Sequence, residues 1–283
     1  GRARRGVNRP ARGSRRVSGP RRPDRRARAP IRRAEPSGDG VWLFGVHAVH
    51  DALMNPRRVK RRLVLTPNAA DRLADALPPD GPSPEIAEPR RFPAPLDPGS
   101  VHQGAALLAD PLDWGTLSDL CAPTAARPAP IALLLDRVTD PHNVGAALRS
   151  AQVFGAVAVI APRRHAAPET GALAKAASGA LERQPYLRVA NLARAIGELR
   201  ALGYVVAGLD GAAEATLPEI AAERSGRPLA FALGAEGPGL RPGTREACDL
   251  LLRIPAAGDF RSLNVSTAAA VALYAAAAAR TAS

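Results

Sequence analysis

The sequence predicts an α/β protein whose larger part is built on a parallel β-sheet. From Ile131 onward, continuous apolar strands alternate with helical stretches. Strands that are apolar throughout and separated by helices are typical of a parallel sheet covered on both faces. Polar or glycine-rich segments follow three of these strands, and such sheets bind ligands beyond the carboxyl ends of their strands. A shorter α/β pattern precedes them, so we expect a smaller domain in front.

The front domain is predicted at residues 41–112. Its apolar patterns indicate two strands and two helices, preceded by a short apolar run. A linker is predicted at residues 113–129, because periodicity is lost there and Pro123 and Pro128 appear. In chain order, the front domain has a short apolar run at 41–44, a helix from Val46 to about Asn55, a strand at 63–65, a short helix at 69–77 and a strand at 105–109.

The main domain is predicted at residues 130–283. Apolar runs of four or five residues predict five strands, and patterns with helical spacing predict three helices. The strands are expected at 131–135, 157–160, 205–209, 229–233 and 250–254, and the helices at 143–154, 192–202 and 267–279.

Residues 1–40 differ from the rest in charge. They contain 14 Arg and three acidic residues, so they carry +11 of the net charge of +13. A segment with so little apolar surface is predicted to be a disordered tail, which would attract nucleic acid without reading its sequence or would simply be solvated. Transit peptides are also rich in Arg, but eight Gly or Pro residues between Gly1 and Pro30 disfavour the amphipathic helix that they need.

Several classes of protein are disfavoured by composition. Cys121 and Cys248 are the two cysteines, which argues against a disulfide framework or a zinc site and fits a cytoplasmic protein without a metal. No apolar run approaches the roughly 20 residues of a membrane span. The P-loop, dinucleotide-binding and HExxH patterns are absent, so a Rossmann-type methyltransferase is disfavoured.

The first candidate site segment, DPHNVGAALRSA, follows the strand at 131–135. Asp140-Pro141 predicts a helix start, which puts Asn143 in the first turn. Arg149 follows six residues later, about 9 Å further along the axis. Two interpretations fit: Asn143 is a capping residue and Arg149 a surface charge, or both serve one site, in which case Asn143 acts from the helix end.

Two further segments follow the strands at 229–233 and 250–254. GAEGPGL, which contains Gly234 and Glu236, predicts a tight loop whose backbone groups are free to hold a small ligand, or an ordinary strand-to-helix turn. Ser262, Asn264 and Ser266 precede the last helix, where small polar side chains cap free N–H groups. Capping alone would explain Asn264 or Ser266.

These segments resemble a known family. DPHNVGAALRSA, GAEGPGL and IPAAGDFRSLNVSTAAA resemble, in order and spacing, the three motifs of the TrmH/SpoU family of SPOUT RNA ribose 2′-O-methyltransferases. VWLFGVHAVHDAL, followed by VHQGAALLA, resembles the RNA-binding front domain of the bacterial 23S rRNA guanosine-2′-O-methyltransferases in that family. His102-Gln103-Gly104 in this signature would contact RNA phosphates or shape a loop. The resemblance covers residues 42–280.

The resemblance implies a fold, a cofactor and a partner. We expect a SPOUT fold with a C-terminal trefoil knot, preceded by a ribosomal-protein-like domain that binds RNA. S-adenosylmethionine is the expected cofactor, lined by Gly234, Ile254 and Leu263. Relatives are homodimers in which each site is completed by the partner subunit. The last helix, with Val271, Leu273 and Tyr274, would supply part of that interface or pack on its own sheet.

The resemblance also implies the reactive residues, which are Asn143, Arg149, Glu236, Ser262 and Asn264. Family accounts give the arginine the role of base, but a guanidinium does not lose its proton in a protein. We therefore hypothesise that Arg149 binds the adjacent phosphate and stabilises the developing alkoxide, while another group or water takes the proton. Glu236 and Asn143 would orient Arg149 and the ribose, and Ser262 and Asn264 would position the nucleotide and the cofactor.

Two alternatives remain at this point. The substrate would be tRNA or another rRNA nucleotide instead of a 23S rRNA guanosine, or the chain would be a non-catalytic RNA-binding protein. The front domain favours rRNA, and the intact set of reactive residues favours an enzyme. The segment Asp259-Phe260-Arg261 departs from the family pattern, where small or β-branched residues are usual, and puts the base preference in doubt.

Overall fold

The computed structural model describes residues 1, 40–94, 96, 101–258 and 262–281. The tail predicted at residues 1–40 lies outside the described residues except for its two end residues, and the Asp259-Phe260-Arg261 segment also lies outside them. Within the described part, a four-stranded sheet and a six-stranded sheet are present. Of the helices in this part, none has the combined length and hydropathy that a membrane span requires.

The front elements are β1 (Val41–Phe44), α1 (Val46–Met54), β2 (Lys60–Leu65), α2 (Pro67–Arg72), β3 (Pro84–Ile86) and β4 (Ala105–Ala109). Their sheet has the order β1-β4-β2-β3, in which β1 and β2 each pair antiparallel with β4, and β2 pairs parallel with β3. The predicted strands and first helix are confirmed, and the apolar run at 41–44 forms β1. The predicted helix at 69–77 ends early and continues as a 3-10 turn at Ala74–Ala76.

The loop before β4 orders the start of α1. Gln103 accepts a hydrogen bond from the Val46 N–H at 3.2 Å, and His102 Nδ1 accepts one from the Gly104 N–H at 3.1 Å. His102 also stacks on Phe92, with ring centroids 4.3 Å apart. These contacts support the loop-shaping interpretation of His102-Gln103-Gly104.

Residues 113–129 contain a short helix, α3 (Leu117–Cys121), where the sequence predicted an irregular linker. Thr116 and Asp119 form a capping box at its start. Leu117 and Cys121 are buried against the main sheet, and α3 packs on the later helix at 192–201. Five residues are too few to show helical periodicity, which is why the pattern was missed.

The strands of the main sheet are β5 (Ile131–Asp136), β6 (Ala156–Pro162), β7 (Tyr186–Val189), β8 (Val205–Leu209), β9 (Leu229–Gly234) and β10 (Leu250–Leu252). The sheet is fully parallel, with the order β10-β8-β9-β5-β6-β7. All five predicted strands are present, although β10 is shorter than expected, and β7 was not predicted because it is short and contains Arg188.

Helices cover both faces of this sheet, as the apolar strands predicted. Alternate residues of β5 face two different cores: Leu133 and Leu135 join one, and Ala132 and Leu134 join the other. The helices are α4 (Pro141–Val153), α5 (Gly171–Ala177), α6 (Leu192–Ala201), α7 (Leu217–Glu223), α8 (Pro242–Ala247) and α9 (Val265–Thr281). Sequence reasoning missed α5, α7 and α8, each of seven residues or fewer.

A buried ion-pair cluster, the junction cluster, joins the front elements to the main sheet. The fully buried guanidinium of Arg58 donates to both carboxylate oxygens of Glu182 and to Glu169. It also donates to the Asp110 carbonyl at 2.8 Å. Burial opposes the charge on Arg58, but the two carboxylates raise its pKa; burial also raises the pKa of Glu169. Beside this cluster, a Cβ at Gly171 would lie 2.2 Å from the Phe44 ring, so the two parts are in close contact.

Candidate active site

A cleft of about 1150 Å³ opens at the carboxyl ends of β8, β9 and β10. This is the edge at which parallel sheets bind ligands, because the loops after neighbouring strands converge there. Most lining residues fall in four segments, at 209–211 after β8, 233–240 after β9, 252 and 254–256 after β10, and 262–265 at the start of α9, and Arg245 and Ala268 complete the lining.

The glycine-rich loop after β9 folds back on the strand that precedes it. A Cβ at Gly234 would lie 1.9 Å from the Gly239 carbonyl carbon, so only glycine fits at this position. The Gly239 N–H donates to the Ala235 carbonyl at 3.0 Å, and Gly237 and Gly239 have φ angles of 83° and 69°, which favour glycine. The result is a compact turn that brings backbone groups to the cleft wall.

A buried carboxylate holds the end of this loop in place. The side chain of Asp136 at the end of β5 is fully buried and accepts hydrogen bonds from the Arg241 backbone N–H at 3.0 Å and from Arg241 Nε at 2.8 Å. Sequence reasoning missed Asp136, although a carboxylate at the end of an otherwise apolar strand was an available signal for this contact. Asp136 therefore couples β5 to the glycine-rich loop.

The three residues predicted to contact the cofactor all line this cleft. Gly234 and Ile254 follow β9 and β10, and Leu263 precedes α9. Leu263 keeps 47% of its surface exposed, although it is a large apolar residue. Exposed leucine on the wall of a cleft suits contact with an organic ligand.

Asn143, Glu236 and Asn264 meet at the rim of the cleft and form the amide–carboxylate cluster. Asn264 Nδ2 donates to Glu236 Oε1 at 2.6 Å and to Asn143 Oδ1 at 2.9 Å, and Asn143 Nδ2 lies 3.4 Å from the same Glu236 oxygen. Asn264 Oδ1 also accepts from the Ser266 N–H at 2.9 Å, so it caps α9 as well. Asn143 is not the cap of α4, because Asp140 takes that role.

The parallel sheet and this cluster lie in a region that matches a known family. The SpoU rRNA Methylase family matches residues 130–274, just over half of the chain, from before β5 into α9. The chain belongs to this family. The match includes Asn143, Glu236 and Asn264 as well as the whole glycine-rich loop.

Similarity to individual SpoU-family proteins extends into the front elements. The chain is 39% identical over 237 residues to the 23S rRNA (guanosine-2′-O-)-methyltransferase RlmB of Vibrio vulnificus. It is 41% identical over 239 residues to the RlmB of Pseudomonas putida. Each alignment covers 82% of this chain and 94% of the relative.

Solved structures of the family share the fold. The SpoU methyltransferase AviRb from Streptomyces viridochromogenes, in complex with the cofactor AdoMet, superposes with a TM-score of 0.71 at 23% identity over 85% of this chain and 90% of that one. The AdoMet-bound rRNA methyltransferase from Sinorhizobium meliloti gives 0.66 at 24% identity over 83% and 86%.

Two of the predicted reactive residues lie outside the amide–carboxylate cluster of this SpoU-family protein. Ser262 lines the cleft and is exposed. Arg149 is exposed on α4, nearly two helical turns beyond Asn143, and is not among the residues that line the cleft. A single subunit therefore brings together three of the five residues.

Asp210 on the cleft wall after β8 was missed by sequence reasoning. It forms an ion pair with Arg245, and both residues line the cleft. A hydrogen bond from the Ala212 N–H, together with Arg245, lowers the pKa of Asp210. A polar residue directly after a predicted strand was the available signal. Of the described residues, no three His, Cys, Asp or Glu side chains are grouped as a metal site would require.

Proposed function

We propose that this protein transfers the methyl group of S-adenosylmethionine to a ribose 2′-hydroxyl of RNA, and that the acceptor is a guanosine of 23S rRNA. The observation that carries the proposal is the amide–carboxylate cluster of Asn143, Glu236 and Asn264 at the rim of a cleft lined by Gly234, Ile254 and Leu263. Family membership supports the reaction, and the names of the RlmB relatives support the acceptor.

The cleft suits the proposed cofactor. Ligand pockets usually measure about 300 to 1000 Å³, so 1150 Å³ leaves room for a nucleoside-sized cofactor and part of an acceptor nucleotide. The backbone of Gly234 and of the glycine-rich loop offers hydrogen-bonding groups, and Leu263 and Ile254 offer apolar surface. When bound, S-adenosylmethionine supplies an electrophilic methyl group on a sulfonium. We also propose that the C-terminal part of this chain forms the trefoil knot that the family resemblance implies.

The polar residues of the rim would orient the acceptor sugar. A ribose hydroxyl is a poor nucleophile and must lose its proton as the new bond forms. Glu236 is held through Oε1 by Asn264 and Asn143, and its carboxylate accepts hydrogen bonds from hydroxyl groups. Ser262 and Asn264 would position the nucleotide at the cleft. The proton would pass to water or to another group.

Arg149 would act from the partner subunit of a homodimer. Val153 is 74% exposed on α4, one turn after Arg149 on the same face, and Tyr274 is 60% exposed on the adjoining helix α9. Apolar side chains on one exposed face support a subunit interface there. Leu273 is buried in its own core, so α9 would serve both of its predicted roles. Such a dimer would put Arg149 of the partner subunit near a neighbouring site, where it would stabilise the developing alkoxide.

The remaining proposals concern the domains and the location. We propose residues 41–112 as a ribosomal-protein-like RNA-binding domain and residues 130–283 as the catalytic domain. The RlmB relatives align through both regions, which supports the division. The arginine-rich residues 1–40 would add non-specific RNA contacts. Two free cysteines support a cytoplasmic location.

The test is a methylation assay on transcribed 23S rRNA with isotope-labelled S-adenosylmethionine, followed by nuclease digestion and mass spectrometry. We expect 2′-O-methylguanosine. A Gly234→Ala variant should lose cofactor binding and product, whereas Gly243→Ala should keep both, because a Cβ at Gly243 meets no atom within 4 Å. Base methylation, or equal effects of the two variants, would contradict the proposal. Cofactor binding without any methylated nucleoside would favour the non-catalytic alternative.

A further inference from the structure

We propose that the loop after β6 and the loop after β5 form a second RNA-contacting surface, which binds phosphates on the strand that flanks the acceptor nucleotide. We call it the basic loop surface and define it by Arg137, Arg163 and Arg164. The inference rests on the proposed function for its ligand class, RNA, and adds specific positioning residues to it.

Two side chains of β7 hold the backbone of the basic loop surface in place. Arg188 on β7 donates to the carbonyls of Pro162, Arg163 and Ala167, at 3.2, 2.7 and 2.9 Å. The Tyr186 hydroxyl donates to the same Ala167 carbonyl at 2.8 Å. The half-buried guanidinium of Arg188 donates to backbone carbonyls of the loop after β6. Each of these charge-assisted bonds has a definite direction, so together they fix the course of the loop.

The two loops are joined and carry unusual backbone. The Ala167 N–H donates to the Val138 carbonyl at 3.1 Å. Arg137 and His165, one in each loop, have φ angles of 62° and 59°. Residues other than glycine rarely adopt a positive φ angle. Such a backbone conformation persists where surrounding contacts impose it, often at functional sites. The strain is thus held by the Arg188 and Val138 contacts.

The charge of this surface is uncompensated. Arg137, Arg163 and Arg164 are exposed, and none forms an ion pair with a residue that the structure describes. The acidic groups of these loops make other contacts: Asp136 binds Arg241, Glu169 binds Arg58, and the Asp140 side chain caps α4 by accepting from the His142 N–H. Exposed guanidinium groups without acidic partners suit phosphate, which they bind with two parallel hydrogen bonds.

The position of the surface fits an RNA strand that passes into the cleft. β5 lies next to β9 in the sheet and β6 lies next to β5, and adjacent strands lie about 4.8 Å apart. The amide–carboxylate cluster spans the loops after β5 and β9, so the basic loop surface begins beside it. On the other side, the loop leads into α5, whose Gly171 contacts Phe44 of the front sheet. The surface therefore connects the proposed RNA-binding domain to the cleft.

The test measures RNA affinity as a function of salt with the full chain. The probe is transcribed 23S rRNA, and the variant is Arg163→Gln with Arg164→Gln. The matched control is Arg127→Gln with Arg227→Gln, which removes the same charge from exposed arginines that precede β5 and β9, at the end of the sheet away from the cleft. A third variant, Arg163→Lys with Arg164→Lys, keeps the charge. Cofactor affinity, measured by calorimetry, should not change in any of them.

We expect the log–log salt slope to fall by about 1.4 and the affinity to fall about tenfold near 0.15 M salt, since each single-strand phosphate contact contributes roughly 0.7. The control and the lysine variant should keep the wild-type slope. An unchanged slope in the glutamine variant, or an equal loss in the control, would overturn the proposal. A wild-type protein that binds RNA with this slope but does not methylate ribose would instead overturn the proposed function alone.

Discussion

Two clusters in this molecule each join a carboxylate to donors that are far away in sequence, yet they are built in opposite ways. The junction cluster of Arg58, Glu169 and Glu182 is buried and consists of full charges. The amide–carboxylate cluster has exposed Glu236 and Asn264, and Glu236 is its one formal charge.

The difference follows from the cost of removing charge from water. A buried carboxylate needs a charged partner and further hydrogen bonds, so each member of the junction cluster depends on the others. Neutral amides at an exposed rim leave groups free for a ligand and carry little of the stability. We therefore expect changes in the junction cluster to affect folding and changes at the rim to affect catalysis.

Replacing Arg58 should have the largest effect. Arg58→Met leaves two buried carboxylates without their partner, so the free energy of unfolding should fall by about 3 to 5 kcal/mol in urea denaturation. The control Arg62→Met removes an exposed ion pair with Glu85 and should cost less than about 1 kcal/mol. Similar losses of unfolding free energy in both variants would show that the junction cluster contributes no more to stability than an exposed ion pair.

Arg149 is the exposed counterpart of Arg58. Arg149→Lys keeps the charge but loses the planar donor pair, so kcat should fall about a hundredfold while unfolding is unchanged. Arg194→Lys, on the exposed surface of α6, is the control and should leave both unchanged. Near-normal turnover of Arg149→Lys with unchanged RNA affinity would refute the assigned role.

Replacing Glu236 separates function from folding at the rim. Glu236→Gln weakens the acceptor of Asn143 and Asn264, so kcat should fall about tenfold, the value of one charged hydrogen bond. The free energy of unfolding should stay within about 0.5 kcal/mol of wild type. Glu246→Gln on α8 is the matched control for kcat. A fall in the free energy of unfolding without a fall in kcat would contradict the assignment of the rim cluster to catalysis and not to folding.

The pH dependence of the junction cluster should show the smallest effect. Burial raises the pKa of Glu169, so the folded state holds its proton more tightly than the unfolded state. The contribution of this group to stability is therefore present at low pH and lost as pH rises through the raised pKa. Relative to wild type, Glu169→Gln should become more stable as pH rises above about 4, the unfolded pKa of a glutamate. A change in the opposite direction would mean that Arg58 outweighs burial.

The comparison also explains what could be predicted from sequence. Apolar strands separated by helices predicted the parallel sheet, and polar residues after those strands made Asn143, Glu236 and Asn264 candidates, with capping or an ordinary turn as the alternatives. The family resemblance then implied that the three residues share one site, and the structure brings them together.

The junction cluster was not accessible in this way. Arg58, Glu169 and Glu182 lie in turns and short elements whose packing depends on tertiary contacts. β7, with only four residues, and α3, with five, are too short for a periodic signal. Spacing along α4 likewise does not tell whether Arg149 serves the site of its own chain or that of the partner subunit in the proposed dimer.

The most direct test of the central claim is hydrogen exchange followed by mass spectrometry, with and without S-adenosylmethionine. We expect the cofactor to slow exchange in peptides that cover residues 209–211, 233–240 and 252–258, and to leave peptides around Arg58 and Glu182 unchanged. Protection at the junction instead of the cleft, in a protein that calorimetry shows to bind the cofactor, would contradict the account.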